Sequence, residues 1–228
     1  MKNSFFVALI ALFSFSSCAT LQSLISEPTA FETISALREV LNSSTFRSIK
    51  KLQDIQNQGA LAVLPDEVSL VLNSLRTLGL GNEIDKVTKG IETASGVVAN
   101  ESAGIMTDAI KEVDFGDAVA IVTGGQDAAT QVLKNAMYVT VKKRYSTRLD
   151  TELDKTDANK YWPMAATAYN LFAKDKIDNS LSDFMAERAV DAVFIGMGHE
   201  ETEIRKDPAS LGKAVVTKVF DYYKNRNQ

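Results

Sequence analysis

Cysteine and histidine each occur once in this chain of 228 residues, at Cys18 and His199. One thiol cannot close an internal disulfide. One thiol and one imidazole cannot build a multi-Cys or multi-His zinc site, nor a haem held by two histidines. Proline is sparse, with four in all, at Pro28, Pro65, Pro163 and Pro208. Few helix breakers leave room for long helices. A basic excess is missing too: 25 Lys and Arg stand against 29 Asp and Glu, a net charge of -4. A sequence-independent grip on nucleic acid needs a basic face, so nucleic acid is not expected as a partner. What remains is an ordinary globular mix, 45% hydrophobic and 24% charged, long enough for a sizeable core.

Long apolar runs are also lacking. The clearest one, Phe5 to Phe15, covers about 11 residues, against about 20 for a bilayer-spanning helix. Lys2 precedes it, and the small residues Ser16, Ser17, Cys18 and Ala19 follow. Charge, apolar run and small residues in that order read as a secretory signal. Phe15-Ser16-Ser17-Cys18 resembles a bacterial lipobox, with Phe15 in place of the usual Leu. The resemblance implies removal of residues 1–17 as a signal peptide and acylation of Cys18. An ordinary signal peptide with an incidental Cys is the alternative. Residues 18–28 then form a lipidated N-terminus and tether, and residues 29–228 a helical domain. Ala19, in place of Asp, favours sorting to the outer membrane, so the expected location is its periplasmic face.

Apolar residues recur at i, i+3 and i+4 through most of the chain, which predicts an all-α fold in one compact multi-helix bundle with short loops. Phe31, Ile34, Leu37, Val40 and Leu41 mark a first helix behind a Thr29 cap. Asp66 is expected to cap a second helix, ended by Gly79 and Gly81, and Asn82 a third through Val98. Another carries Ile105 to Ile110. A short helix spans Asp117 to Val122, and a long one Asp127 to Tyr145, with Ala128, Val132, Leu133, Ala136 and Val139 inward. Further helices run from Ala158 to Leu171, Leu181 to Lys206 and Leu211 to Lys224. The Leu181 helix is apolar over most of its circumference, through Phe184, Met185, Val190, Val193, Phe194 and Ile195, so it is expected to be central.

Several fragments stand in an order that points to one family. They include Leu75-Arg76-Thr77-Leu78-Gly79-Leu80-Gly81, Asp127-Ala128-Ala129-Thr130, and Trp162 with Tyr169-Asn170. Glu200, Glu201, Ile204-Arg205, Asp207-Pro208 and Lys218-Val219-Phe220 complete the set. The pattern resembles the bacterial family catalogued as domain of unknown function 4197, over about residues 60 to 220. That resemblance implies a helical envelope protein and supplies no activity. Where the family often carries Asn-Arg-Ala-Ala-Glu, this chain has Glu92-Thr93-Ala94-Ser95-Gly96 and keeps only the Ala.

Five constellations are candidates for chemistry. His199-Glu200-Glu201-Thr202-Glu203 lacks the second His of a zinc protease, so no metal and no catalytic residue is assigned. Glu200, Glu201, Arg205 and Asp207 form a candidate polar cluster, read either as an Arg205–carboxylate clamp or as helix termination before Pro208. Asp183, Glu187 and Asp191 make an acidic stripe at i, i+4, i+8, which calls for partners if buried. Those partners are either Arg144, Arg148 or Arg188, or a hard cation such as calcium; an exposed polar edge is the third reading. The turn Gly124-Gly125-Gln126-Asp127 could hold an anion on free N–H groups, or could simply separate two helices. Trp162, with Tyr161, Met164 and Tyr169, reads as core or as a pocket wall.

No cofactor is expected. The first functional reading is a non-catalytic, lipid-anchored binding or scaffolding component of the cell envelope. It would reach the membrane through Cys18 and meet an unknown envelope protein or apolar ligand. The alternatives are a carrier of an apolar or amphipathic ligand, which needs a cavity beside the Leu181 helix, and a carboxylate-based hydrolase.

Overall fold

Thr29 and Glu32 start the first helix by a reciprocal exchange. Glu32 N donates to Thr29 Oγ1 at 3.2 Å, and Thr29 N donates to Glu32 Oε2 at 2.8 Å. This capping box satisfies two backbone donors that a helix start leaves free. The structure, a computed structural model, describes residues 26–56 and 64–226, so Cys18 and the signal segment lie outside the described residues. Helix α1 runs Ala30–Gln56, α2 Asp66–Leu75, α3 Gly81–Glu112 and α4 Ala118–Thr123. Then come α5 Ala128–Leu153, α6 Ala158–Phe172, α7 Leu181–Lys206 and α8 Ala214–Arg226. Among the described residues there is no strand, which bears out the all-α expectation. None of these helices is long and apolar enough to cross a membrane.

Helix α7 lies at the centre, packed on α5 and α1; α3 packs on α5, α1 and α6, and α8 on α1. Ser48 Oγ of α1 donates to Val193 O of α7 at 3.1 Å. A Cβ at Gly196 would stand 2.1 Å from that same hydroxyl, so the two helices cross where one has no side chain.

Several sequence expectations need correcting. Asp66 and Asn82 are not caps: Pro65 and Leu80 hold those positions, and Asp66 and Asn82 lie inside the helices. The segments expected as two helices around Ile84–Val98 and Ile105–Ile110 form one helix of 32 residues. A glycine inside a helix costs only about 1 kcal/mol, and burial of Ile91, Ala94, Val98, Met106 and Ile110 outweighs Gly96 and Gly104. The bend before α3 is instead made at Gly79, whose φ of 96° only glycine adopts readily. In α5 the inward stripe is Ala129, Leu133, Met137, Val141, Tyr145, Leu149 and Leu153. That strict i, i+4 register leaves Val139 79% exposed. Phe31 and Ile195 also face outward, each off the buried stripe of its helix.

The α1 start is tied to the chain's last helix. Lys218 Nζ of α8 donates to Glu32 Oε1 at 2.6 Å. That bond, with the Thr29 backbone bond next in weight, lowers the Glu32 carboxyl from 4.5 to about 2. A carboxylate depressed on folding adds stability above its ordinary pKa, and this fades as pH falls through the folded value. The contribution should therefore disappear between about pH 4.5 and pH 2. Glu32→Gln should flatten the pH dependence of the melting midpoint across that window. A profile identical to wild type would show that the contact adds nothing.

Candidate functional site

The candidate polar cluster divides between two faces of α7. Glu201 is 0% exposed and turns toward the start of α5. Its carboxylate accepts from Ala129 N at 3.0 Å, Thr130 N at 2.7 Å and Thr130 Oγ1 at 2.7 Å. These are first-turn donors of α5, where negative charge meets the positive end of the helix dipole. Arg205, one turn along α7, donates from Nε to Glu201 Oε1 at 2.8 Å. Its Nη1 and Nη2 donate to Val122 O at 2.7 Å and Ile121 O at 3.0 Å, carbonyls at the end of α4. Its guanidinium also lies 5.1 Å from the Phe220 ring centroid on α8.

One buried ion pair thus closes the end of α4 and the beginning of α5 together. The N–H groups that could have held a free anion are taken by the protein's own carboxylate. Asp127 sits at the cap position, but its Oδ2 accepts from Gln131 Nε2 at 2.8 Å and from no backbone donor. The clamp reading of Arg205 matches this geometry.

Glu200, although adjacent, faces α1, where Lys51 pairs with it and Arg47 Nη1 lies 3.7 Å away. Asp207 is exposed and joins neither pair; its backbone O accepts from Ser210 N at 3.1 Å in the turn after α7. His199 is exposed beside Asp127, Lys134 and Thr202 in a shallow polar pocket. Among the described residues no group of three His, Cys, Asp or Glu side chains converges as metal ligands would.

The acidic stripe meets partners on α5. Ser146 Oγ donates to Asp183 Oδ1 at 2.6 Å, Lys142 pairs with Glu187, and Lys134 Nζ lies 3.9 Å from Asp191 Oδ1. Those partners repeat at fourfold spacing along α5, so the two helices run antiparallel with matched rows. Asp183 is held below the ordinary Asp range, first by Ser146, then by Ser180, with burial opposing. The Tyr138 hydroxyl in the same row is pushed up to about 12, mainly by burial and then by Asp191. The arginines expected as partners go elsewhere. Arg144 binds Glu112 at 2.8 Å, Arg148 binds Glu101 at 2.5 Å, and Arg188 covers the Phe184 ring at 5.6 Å. The helix register explains this, since Arg144 and Arg148 point from α5 toward α3.

On the other side of α7 lies a cavity of about 330 Å³. Leu52, Leu64, Ile91, Val98, Phe184 and Val193 supply much of its wall, with Ser95, Ser102, Gln53, Tyr145 and Arg188 as the polar members. Its volume falls at the lower end of ordinary ligand pockets. Trp162 is not on this wall. It is fully buried, donates from Nε1 to Asp178 O at 3.0 Å, and packs its ring 5.0 Å from Phe184. Tyr145 was missed as a wall residue. Its only local signal is a place in the i, i+4 stripe of α5, which marks burial and not a cavity.

These features define an all-α bundle whose central helix carries a buried helix-end clamp on one face and an apolar cavity on another. The chain belongs to the family described as Protein of unknown function (DUF4197), which it matches over residues 27–221. That span reaches from α1 into α8. No curated protein and no solved structure matches the chain.

Proposed function

We propose that the protein is a non-catalytic binding component of the bacterial cell envelope. Acylated Cys18 holds it at the periplasmic face of the outer membrane, and its helical body takes up an apolar or amphipathic molecule. The observation that carries the binding reading is the 330 Å³ apolar cavity beside α7. Apolar clefts of this size between helices are the usual form of a small-molecule site. The anchor is supported by Lys2, the Phe5–Phe15 run and Cys18 in lipobox order. A carboxylate hydrolase loses its support, because each acid of the Asp183 stripe already has a partner on α5.

Mass spectrometry of the protein purified from membranes tests both halves. Under denaturing conditions the Cys18 peptide should carry acyl groups as the first residue. Under native conditions an additional lipid-sized adduct should appear and be lost on denaturation. An unmodified Cys18 peptide would remove the anchor, and a native mass without adduct would remove the ligand.

A further inference from the structure

The bundle has two poles, and a tether at Cys18 can bring only one of them to a membrane. Helices α1 and α3 run antiparallel: Thr107 Oγ1 donates to Asn42 Oδ1 at 3.2 Å, and Gln53 Nε2 donates to Ala99 O at 3.3 Å. The last turns of α1 thus meet the middle of α3, and the first part of α3 lies past them. There Gly90 faces Ala158, and Lys86 Nζ lies 3.1 Å from Asp157 Oδ2, which sets α6 beyond the end of α1. Helix α8 lies antiparallel to α1 at the opposite pole. Lys213 Nζ is 3.4 Å from Glu39 Oε2, Lys218 binds Glu32, and Arg226 Nη1 is 3.4 Å from Glu27 Oε1. The start of α1 and the end of α8 therefore share one pole, and α6 belongs to the other.

Both poles expose large apolar side chains. Phe31 is 79% exposed at the first, and Leu171 and Phe172 are 72% and 92% exposed on α6. The tether decides between them. From Cys18 to Ser26, the first described residue, is eight residue steps, which reach at most about 29 Å. Helix α1 has 27 residues, about 40 Å at the usual rise. A chain held at Cys18 cannot stand on α6, because the start of α1 would be raised beyond the reach of its own tether. The tether enters instead at the Phe31 pole. Side chains of a helix lean toward its start, so the Phe31 ring leans toward the tether end.

The rest of that pole suits a lipid headgroup layer. Tyr222 is half-buried, meets Tyr223 edge-on at 5.1 Å, and accepts from Arg226 Nη1 at 3.4 Å. Aromatic rings with a polar edge are favoured at that depth. Lys224 is exposed and pairs with no acid among the described residues. The Arg226–Glu27 contact is exposed and adds little, so a lipid phosphate can take the place of the carboxylate. Lys224 and Arg226 balance Glu27 and Asp221, so this pole meets an anionic leaflet without net repulsion, although the chain carries -4. One phenyl ring would hold a free protein weakly, but an anchor makes the contact intramolecular, at high effective concentration.

We propose that the start of α1 and the end of α8 form a membrane-docking edge, with Phe31 in the headgroup layer and the α6 pole held away from the bilayer. The assignment rests on the lipid anchor proposed above and adds to it the docking surface and the orientation.

Acylation of Cys18 leaves the chain without a free thiol, so one introduced cysteine takes a maleimide dye alone. Asn225→Cys marks the docking pole with Phe31 intact, Phe172→Cys the far pole and Val139→Cys the side of α5; all three positions are exposed. The full acylated chain is placed in nanodiscs of phosphatidylethanolamine and phosphatidylglycerol, with nitroxide on some headgroups as quencher. The dye on the α8 end should be quenched strongly, and the dyes on α5 and α6 should behave as in water. Phe31→Ser, added to Asn225→Cys, should shift the docked-to-undocked ratio about tenfold toward undocked and remove most of that quenching. Quenching at the α8 end no stronger than on α5 or α6 would overturn the docking edge and leave the anchor standing. Quenching that survives Phe31→Ser would overturn it too. A parent chain whose Cys18 itself takes the dye would take down the anchor, and the docking edge with it.

Discussion

Arg205→Ala should lower the melting midpoint by roughly 10 °C. Removing one partner of a buried ion pair costs about 3–5 kcal/mol, and 1 kcal/mol moves the midpoint of a chain this long by about 2–4 °C. The large figure applies here because Glu201 stays behind. Its carboxylate is 0% exposed, so it cannot recover water when the guanidinium goes. Three donors from Ala129 and Thr130 still hold it in place, which prevents it from turning outward. The same substitution takes the guanidinium donors from the carbonyls of Ile121 and Val122 at the end of α4, and leaves Ile121 O with the Gly124 N–H at 3.3 Å. It also removes the cation from the Phe220 face. Arg205→Lys keeps a charge near Glu201 but loses the planar fork that reaches two carbonyls and a carboxylate at once, so its cost should be smaller. Thermal unfolding followed by circular dichroism reads both variants. A midpoint for Arg205→Ala within a degree or two of wild type would mean that the clamp is not structural.

The two halves of that clamp differ in how far a sequence can announce them. Glu201 and Arg205 are one helical turn apart, and so is their charge pairing, which makes the pair visible in the sequence. The Thr29–Glu32 exchange is visible for the same reason, since a capping box spans only three residues. Ala129 and Thr130 are more than seventy residues from Glu201, and no local pattern says that a carboxylate on a distant helix will cap them. Asp127 offered the obvious local cap, and tertiary packing supplied a different one. The acidic stripe behaves alike: its spacing called for partners, but the register between α5 and α7 decided that Lys142 and Ser146 would serve while Arg144 and Arg148 turned to α3. The cavity is least legible of all. Its wall comes from four helices, and its volume is what their side chains fail to fill, a quantity with no periodicity. Even the inward face of α5 was displaced by one position, because Ala128 and Ala129 suit either phase. Cys18 and the outer-membrane expectation belong to residues outside the described helices and stand on sequence order alone.

Gly90→Ala should destabilise the protein by about 2 kcal/mol, although alanine is the better helix former. The propensity gain is about 1 kcal/mol in favour of alanine. Against it, the new Cβ would stand 2.4 Å from Ala158 Cβ and 2.9 Å from Thr156 Oγ1. Carbon atoms pack at about 3.5–4.0 Å, so α3 and α6 would have to part by more than 1 Å at their contact. No rotamer relieves this, since Ala158 Cβ is fixed to the backbone of α6. Thr156 has little freedom either: its Oγ1 donates to Leu153 O at 2.8 Å and accepts from Ala158 N at 3.1 Å, which sets the turn between α5 and α6. Pushing it away would loosen that turn as well as the helix contact. Overpacking, backbone shifts included, costs about 1–3 kcal/mol, and the movement of more than 1 Å required here puts the cost at the upper end, where it outweighs the propensity gain. Ala158→Gly removes the closest atom, so the double variant should recover part of the loss while the Thr156 contact keeps the rest. Urea midpoints for the four proteins of this cycle read the coupling directly, and neighbours in contact couple by about 0.5–3 kcal/mol. Strictly additive costs would mean that α3 and α6 already have room at this crossing, and the close approach of Gly90 would lose its role.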